Sequence, residues 1–473
     1  MPASNARRPL VLLPDLLFRD GGFVRGLAVE VDRGTGRITR VAPAAELTAG
    51  VRDVERLPAR ALMPGLANAH SHAFQRAIRG RTQWRPAGGG RSDFWSWRQA
   101  MYAAAHALSP DDVAVIARFV FLEMLRAGFT SVGEFHYLRR DARGNAYANP
   151  NEMSQRVIAA ADEVGIRITL LETCYATSAI GEPLLPEQRR FATRDLDHLL
   201  GDVEALRRSF ERRPRVRVGL AAHSIRAVPL EWLPRLREAA GRMDVPLHMH
   251  VAEQTAEVEA CVEAHGRRPV ELLDEQGLLD GRFVAVHATH LNDDEVAMLG
   301  RAGATVCACV ATERDLGDGF LRGRDLLEAG ARLAIGSDSH TIVDPFEEMR
   351  LIEYHERLQR RARNVIGAEA GGRVESAPPL LRAGMSGGAQ ALGVDAGRME
   401  AGSLADLVAL DLTHPSLAGW EADTLAATLV FSAPTAVVSD VWVGGVRRVA
   451  DSRHALDGVS VITFRETVRR LFG

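Results

Sequence analysis

Eight times along the middle of this chain a short apolar run is followed by a longer amphipathic stretch, and this alternation constrains the fold more than any other feature. The runs are "ALMPGLANAHSHAF", "FTSVGEFHY", "IRITLLETCY", "RVRVGLAAHSIR", "VPLHMHVAEQ", "FVAVHATHL", "ATVCACVATE" and "RLAIGSDSH". Segments such as "SPDDVAVIARFVFLEMLRAG" and "NPNEMSQRVIAAADEVG" lie between them, with helical periodicity and a capping signal at the start. Eight strand–helix units over about 330 residues predict an α/β fold, a closed parallel (β/α)8 barrel with insertions, since such barrels run from about 200 to over 400 residues.

Outside the barrel the style is β. The first sixty or so residues carry "GLAVEVD", "RITRVAP" and "RDVERLPARALMPG", and the C-terminal part carries "SLADLVALDL", "TAVVSDVWVGGVRRVA" and "VSVITFRETV", divided by Gly, Asp and Pro turns. These segments are too far apart to pair locally, so they are expected to meet as one small β-sandwich domain built from both termini. The expected division is 1–62 and 399–473 for that domain and 63–398 for the barrel. "RPAGGG" and "GAEAGGR" read as flexible loop tips.

In an eight-stranded barrel the reactive groups stand at the C-terminal ends of the strands. Polar residues collect there: His70, His72, Gln75, His136, Tyr137, His223, Arg226, His250, Glu253, His287, Thr312, Glu313, Asp338 and Ser339. What they do is narrowed by composition. The net charge is -3 with both signs interspersed, which offers no basic stripe for nucleic acid. No apolar stretch reaches the roughly 20 residues of a membrane span. The opening "MPASNARRPLVLLPDLLFRDGG" is broken by Pro14 and Asp15, which argues against a signal peptide.

Cys174, Cys261, Cys307 and Cys309 are too few for a disulfide framework and fit a reducing cytoplasm. Cys307 and Cys309 share a face of one run and read as packing residues, with no further ligand at zinc-finger spacing. There is no lysine, so all 58 basic residues are arginine. That excludes Schiff-base chemistry, a lysine-dependent phosphate loop and a carboxylated-lysine metal bridge. It also makes any single arginine weak evidence of function.

In "MPGLANAHSHAFQRAIRG" two histidines, His70 and His72, follow an extended run and point to the same side of a strand. Alone, such a pair is an ordinary surface feature. With a fifth-strand histidine, His248 or His250 by spacing, and Asp338 of the eighth run, three neutral imidazoles and a carboxylate suit a divalent ion such as zinc, with water completing the shell.

This constellation resembles the amidohydrolase superfamily: first-strand His-x-His, a fifth-strand His, sixth-strand His287 and eighth-strand Asp338, with the likeness extending over both flanking β segments. The resemblance selects His250, because Glu253 follows three residues later as in the deaminase branch. It leaves His248, with His136, His290 and His340, as packed histidines. Binuclear members bridge two metals through a modified lysine or an acid on the fourth or a neighbouring strand. "VGLAAHSIR" carries neither. One divalent ion per chain, zinc with ferrous iron as the alternative, is therefore expected on His70, His72, His250 and Asp338.

Such an ion lowers the pKa of a coordinated water toward neutrality. Asp338 and His287 are placed to take its proton and orient it, and Glu253 to carry a proton to a substrate nitrogen. By itself Glu253 could be a carboxylate facing a helix start; its spacing from His250 favours catalysis. The reaction implied is hydrolytic displacement of ammonia from a C=N carbon.

The longer motifs "HSHAFQRAIRG", "DFWSWRQAMY", "GEFHY", "HSIRAV", "HVAEQ" and "TERDLGDG" resemble the N-formimidoyl-L-glutamate deiminases of histidine breakdown, which release N-formyl-L-glutamate and ammonia. The resemblance implies that Gln75, Arg98, Tyr137, His223, Arg226 and Ser339 contact a small dicarboxylate amidine, and a homodimer is the expected assembly. Arginine suits this substrate because it makes two-pronged bonds to carboxylates. The family's seventh-strand motif carries Pro, Thr and Asn where this chain has Val310, Ala311 and Asp315, a departure that bears on the seventh loop and on substrate affinity. The competing readings are a deaminase or chlorohydrolase of the same branch acting on guanine, an adenosine derivative or a triazine, and a non-catalytic binding barrel. An aromatic base calls for stacking surface and amide contacts, so the paired arginines oppose the first. Retention of every expected ligand opposes the second.

Overall fold

The computed structural model describes residues 9–49, 53–85, 87–89, 92–370 and 372–473. The first residues of the segment read against a signal peptide, and Pro86 and Gly90 of "RPAGGG", lie outside the described residues.

Each apolar run becomes a strand that is buried on both faces. Every residue of β1 (Leu66–Ser71), β2 (Phe129–His136) and β3 (Arg167–Cys174) is buried, as a parallel sheet covered by helices requires. They are followed by β4 (Val216–Ser224), β5 (Leu247–Val251), β6 (Phe283–His287), β7 (Thr305–Ala308) and β8 (Arg332–Ile335). Each strand pairs in parallel with the next. The ring closes between β8 and β1 through a parallel bridge of Ser71 with Asp338. There Asp338 N–H donates to His70 O at 3.1 Å and His72 N–H to Asp338 O at 3.0 Å. Two histidines and the aspartate expected as ligands are thus part of the seam.

The barrel interior is a small apolar cluster of Ala69, Val284, Val286, Cys307, Cys309, Ala334 and Ala391. Ala391 arrives on the short helix Gly388–Ala391, which closes the floor. It comes this near because Gly388 has no side chain: a Cβ there would lie 2.7 Å from Ala67 O.

The expected helices form with their signals in use. Ser109 caps Pro110–Arg126 by accepting from Asp112 N–H, and Gly165, at φ 87°, ends Glu152–Val164. An additional helix, Phe94–Ala107, is inserted ahead of Pro110–Arg126 between β1 and β2.

The terminal β segments do meet in one domain, and their strands hydrogen-bond as a single mixed eight-stranded sheet. Its order is Val446–Val449, Val438–Val443, Leu407–Asp411, Val54–Pro64, Leu10–Arg19, Leu27–Asp32, Arg37–Pro43, with Gly22–Val24 also on Leu10–Arg19. Pro14 and Asp15, which break the N-terminal apolar run, sit at an irregularity in the pairing of Leu10–Arg19, where Asp15 accepts from Ala59 N–H at 3.0 Å. One face of this sheet packs Leu12, Val29, Val31, Leu62, Leu407 and Trp442 together. The domain is joined to the barrel by a buried two-pronged pair, Arg167 Nε and Nη2 to Asp406 at 2.8 and 3.0 Å. After Val54–Pro64, only Gly65 separates the terminal sheet from β1.

Two local readings change. "VSVITFRETV" is not a strand: it lies in the helix Asp457–Phe472. Its β-branched residues Val459, Val461 and Ile462 are exposed, while Ser460, Phe464 and Thr467 form the buried face, and Phe464 stacks on Phe119 with centroids 4.0 Å apart. Packing on Pro110–Arg126 overrides the β preference of three exposed side chains. Within "GAEAGGR", Ala368–Ala370 begins an antiparallel pairing with Arg373–Glu375, and Gly371 lies outside the described residues.

Candidate active site

Three imidazoles converge at the C-terminal mouth of the barrel. His70 Nε2 lies 3.2 Å from His72 Nε2 and 3.1 Å from His250 Nε2, and the last two are 3.4 Å apart. Asp338 Oδ1 is 3.4 Å from the Nε2 of both His70 and His72. A tetrahedral zinc shell with bonds of about 2.0–2.1 Å has edges of about 3.3 Å, so the three imidazoles stand at the spacing of three ligands of one such ion, with Asp338 beside two of them. The donor chemistry agrees. His72 Nδ1 is held by Phe135 O at 2.9 Å and His250 Nδ1 by His223 O at 2.8 Å, which places the hydrogens outward and the Nε2 lone pairs inward. Burial, reinforced by neighbouring charges, holds the pKa values of His70 and His250 well below the ordinary histidine range, and burial also lowers that of His72. All three are therefore neutral imidazoles, the form that ligates.

Of His248 and His250, only His250 stands beside the other two imidazoles. Both point into the barrel, but His248 Nε2 bonds to Ala391 O of the floor helix at 2.7 Å. It is one layer too low to join the others. His340 is likewise occupied, its two nitrogens 3.0 Å from Ser71 Oγ and 2.9 Å from Ser337 Oγ.

His287 and Asp338 lie where the chain leaves the strands, in left-handed conformations with φ of 69° and 43°. Ala252, Ala288 and His340 share this feature. Such non-glycine conformations cost on the order of 1–3 kcal/mol each and persist where the surroundings impose them. At His287 the surroundings are acidic: Glu313 Oε1 is 3.2 Å from Nδ1, and Glu253 Oε1 and Asp338 Oδ2 are 3.8 and 3.9 Å from Nε2. Although burial opposes its charge, these carboxylates, Glu253 foremost, raise the His287 pKa well above the ordinary value. Burial pushes Glu253 up to about 7, against the pull of His287 and Arg226. Burial thus brings the Glu253 carboxyl, beside His287, into the range where it can take up and give back a proton near neutrality.

Above the histidine cluster the barrel mouth opens into a cavity. Of the residues expected to touch substrate, Gln75, Arg98, Tyr137, His223 and Arg226 line it, with Glu253, His287 and Asp338 at its inner end. Ser339 is not among the lining residues; its hydroxyl is 3.0 Å from Thr312 Oγ1 and 3.3 Å from Thr341 Oγ1. Gln75 Nε2 donates to Tyr137 Oη at 3.0 Å, while Gln75 Oε1 is buried with no hydrogen-bond partner among the described residues. Arg226 stands 3.5 Å from Glu257 Oε2 and faces the Trp95 ring, which Arg98 also faces.

Several residues that shape the site escaped sequence reading. Tyr102 is four residues after Arg98, a spacing that shares a helix face, and Tyr175 directly follows β3, so both had a readable signal. Glu257 had none beyond being an acid near a strand end, and Glu313 stood among the strand-end polar residues without a role assigned to it. Cys309 proves to be more than core packing: it forms a close buried group with His287 and Asp338. The altered residues Val310 and Ala311 begin the helix Val310–Leu316, whose Glu313 still reaches His287, so the departure in the seventh motif leaves that contact intact.

Comparison with known proteins agrees with this geometry. The sequence matches the amidohydrolase family over residues 61–448. It is 39% identical over the full length of both chains to a formimidoylglutamate deiminase from Pseudomonas aeruginosa. It is 32% identical to a 5-methylthioadenosine/S-adenosylhomocysteine deaminase from Natronomonas pharaonis, over 98% of this chain and 92% of that one. Among solved structures, an amidohydrolase from Brucella melitensis superposes with a TM-score of 0.88 at 33% identity, covering 99% of this chain and 100% of its own. An adenosine deaminase from Xanthomonas campestris with bound zinc gives 0.82 at 25%, covering 98% of each.

Proposed function

Because the chain belongs to the amidohydrolase family, we propose that it is a metal-dependent deiminase that hydrolyses N-formimidoyl-L-glutamate to N-formyl-L-glutamate and ammonia. The observation that carries the substrate reading is the pair of guanidinium groups, Arg98 and Arg226, on the wall of a cavity whose inner end is the histidine cluster. A net-acidic protein has no general attraction for a dianion, so local cations have to bind it. A purine site has no use for two such charges.

His70, His72, His250 and Asp338 Oδ1 would hold one zinc ion. When bound, the ion supplies Lewis-acid activation of a water molecule. The remaining work falls to the chain. Asp338 Oδ2, 3.9 Å from His287 Nε2, accepts a proton from the attacking water, and His287 holds the water oxygen toward the amidine carbon. Glu313 fixes the His287 ring through Nδ1. Glu253, poised near neutrality, delivers a proton to the terminal amidine nitrogen, which leaves as ammonia. Water supplies the new carbonyl oxygen and its two hydrogens leave on nitrogen, so the reaction balances without a redox partner. Arg226 and Arg98 receive the carboxylates, with Gln75, Tyr137 and His223 along the path between.

The test is an ammonia-release screen of N-formimidoyl-L-glutamate against N-formimidoyl-L-aspartate, guanine and S-adenosylhomocysteine, with metal content measured on the same sample. Formimidoylglutamate should lead by a wide margin, with one equivalent of metal. A purine outperforming it would replace this reading with the base-deaminase one.

A further inference from the structure

The last residue of "GSDSH" makes more contacts than a packed histidine needs. His340 follows Asp338 by two residues, and both are in the left-handed region, at φ 59° and 43°. Among the described residues no hydrogen bond reaches the Asp338 carboxylate, which faces the imidazoles of His70 and His72 at 3.4 Å and of His287 at 3.9 Å. Its aim is therefore set by the backbone turn that carries it. His340 closes that turn. One ring nitrogen, Nδ1, is 2.9 Å from the hydroxyl of Ser337, the residue before Asp338. The other, Nε2, is 3.0 Å from the hydroxyl of Ser71, which lies between His70 and His72 on β1. Arg76 braces the same turn, donating to the backbone oxygens of His340 and Thr341.

The direction of each hydrogen follows from counting. Asn68 Oδ1 accepts from Ser337 N–H at 3.0 Å, which fixes the amide so that Asn68 Nδ2 donates to Ser337 Oγ at 2.6 Å. For the hydrogen of Ser337 Oγ, His340 Nδ1 is then the acceptor at hand among the described residues. A neutral imidazole that accepts at Nδ1 carries its hydrogen at Nε2, so His340 donates to Ser71 Oγ. Ser71 passes its own hydrogen to Glu134 Oε2 at 2.5 Å, and Glu134 Oε1 accepts from Ala73 N–H at 2.8 Å. One chain of donors thus runs from Asn68 through Ser337, His340 and Ser71 to Glu134, and all five residues are buried. It crosses the seam from the turn of Asp338 to the strand of His70 and His72.

We propose that His340 is the positioning residue for Asp338: bonded at one end to Ser337 and at the other to Ser71, it sets the gap between the turn of Asp338 and the His-x-His strand and so aims Asp338 Oδ2 at the attacking water. This rests on the hydrolytic reading above. It differs from packing alone, in which a ring of similar size without nitrogens would serve as well. The spacing matters because an error of about 1 Å in a reacting group can cost about a hundredfold in rate.

Three variants test this: His340→Phe, which keeps a ring and loses both bonds, and Ser337→Ala and Ser71→Ala, which each remove one. With ammonia release from N-formimidoyl-L-glutamate as the assay, His340→Phe should lower kcat about 10- to 100-fold, with KM and metal content unchanged. Each alanine variant alone should cost about threefold to tenfold in kcat, the scale of one hydrogen bond. On the His340→Phe background Ser337→Ala should cost under about twofold more, because its partner is already gone. Fully additive losses would overturn the shared chain. Replacing the metal by cobalt(II) gives a reading free of turnover. The visible absorption bands of the cobalt protein should shift in all three variants, because Asp338 moves relative to the histidines. A folded His340→Phe with near-normal kcat and an unshifted spectrum would overturn the proposal. If His340→Phe does not fold, full kcat and unshifted spectra in both alanine variants would overturn it equally. Shifted cobalt spectra in a protein that releases no ammonia from formimidoylglutamate would sink the proposed activity and leave the positioning role standing. Unchanged variants of an active deiminase would do the reverse.

Discussion

At its inner end the cavity is walled by residues of the barrel sheet or its immediate continuation: His72, His250, His287 and Asp338, with His70 behind them. At its outer end the wall comes from additions to the barrel, the inserted helix Phe94–Ala107 with Arg98 and Tyr102, and the loop that carries Gln188. The inner end is held by backbone hydrogen bonds across the β8–β1 seam and by left-handed turns at His287 and Asp338. The outer end is held by side chains holding side chains, Gln188 to Tyr102 and Tyr175 and those to Arg98. The contrast teaches that the sheet places the histidine cluster through backbone geometry, whereas the inserted helix and loop place Arg98 and Tyr102 through side-chain contacts.

The sharpest way to break this contrast is at the inner end. His250→Ala should lose both the metal and turnover to background, whereas His248→Gln, one layer lower, should keep the metal; elemental analysis alongside ammonia release reads both. If His248→Gln lost the metal and His250→Ala kept it, the depth argument would fall.

Next in size is proton transfer. Glu253→Gln and His287→Asn should retain the metal yet lose about two to four orders of magnitude in kcat. Near-normal turnover in Glu253→Gln would return that residue to a helix-start role.

Moving outward, Arg226→Met and Arg98→Met each remove a charge-assisted contact to a carboxylate. The cost is on the order of 2–5 kcal/mol, or roughly 30-fold to several thousand-fold in kcat/KM. Metal content should not change. Full activity in both variants would refute the dicarboxylate assignment.

A smaller effect is expected one contact farther back. Glu257→Gln keeps the shape beside Arg226 but removes the charge that anchors it, at a cost of about 1.5–3 kcal/mol. It should show mainly as a raised KM for formimidoylglutamate, with little change for an analogue that lacks the near carboxylate.

The smallest effect belongs to the departure in the seventh motif. Val310 is the first residue of Val310–Leu316, where proline is accommodated because its missing N–H would have no intrahelical partner. Asp315 is engaged at the surface by Gln83 Nε2 at 2.6 Å. Val310→Pro and Asp315→Asn should leave kcat/KM within about threefold, the range of substitutions that break no buried contact. A large gain would show that the seventh loop limits this enzyme.

The sequence by itself determined the barrel, because eight apolar runs buried on both faces admit few other arrangements and their caps lie in the adjacent residues. It also determined which residue types gather at the barrel mouth, since His-x-His and the strand-end acids are local patterns that need no tertiary information. A local pattern carries no depth, however. His248 and His250 share one face of one strand, and only the height of the floor helix at Ala391 tells them apart. Nor does it carry partnership across long separations. Glu313 against His287, Glu257 against Arg226, and Gln188 between Tyr102 and Tyr175 are joined by the closed ring of strands. The terminal helix marks the same boundary: β-branched Val459, Val461 and Ile462 favour a strand locally, and the surface offered by Phe119 decides for a helix. The tertiary structure decided these points because each depends on which distant surface is available to bury against, and residue spacing contains no record of that.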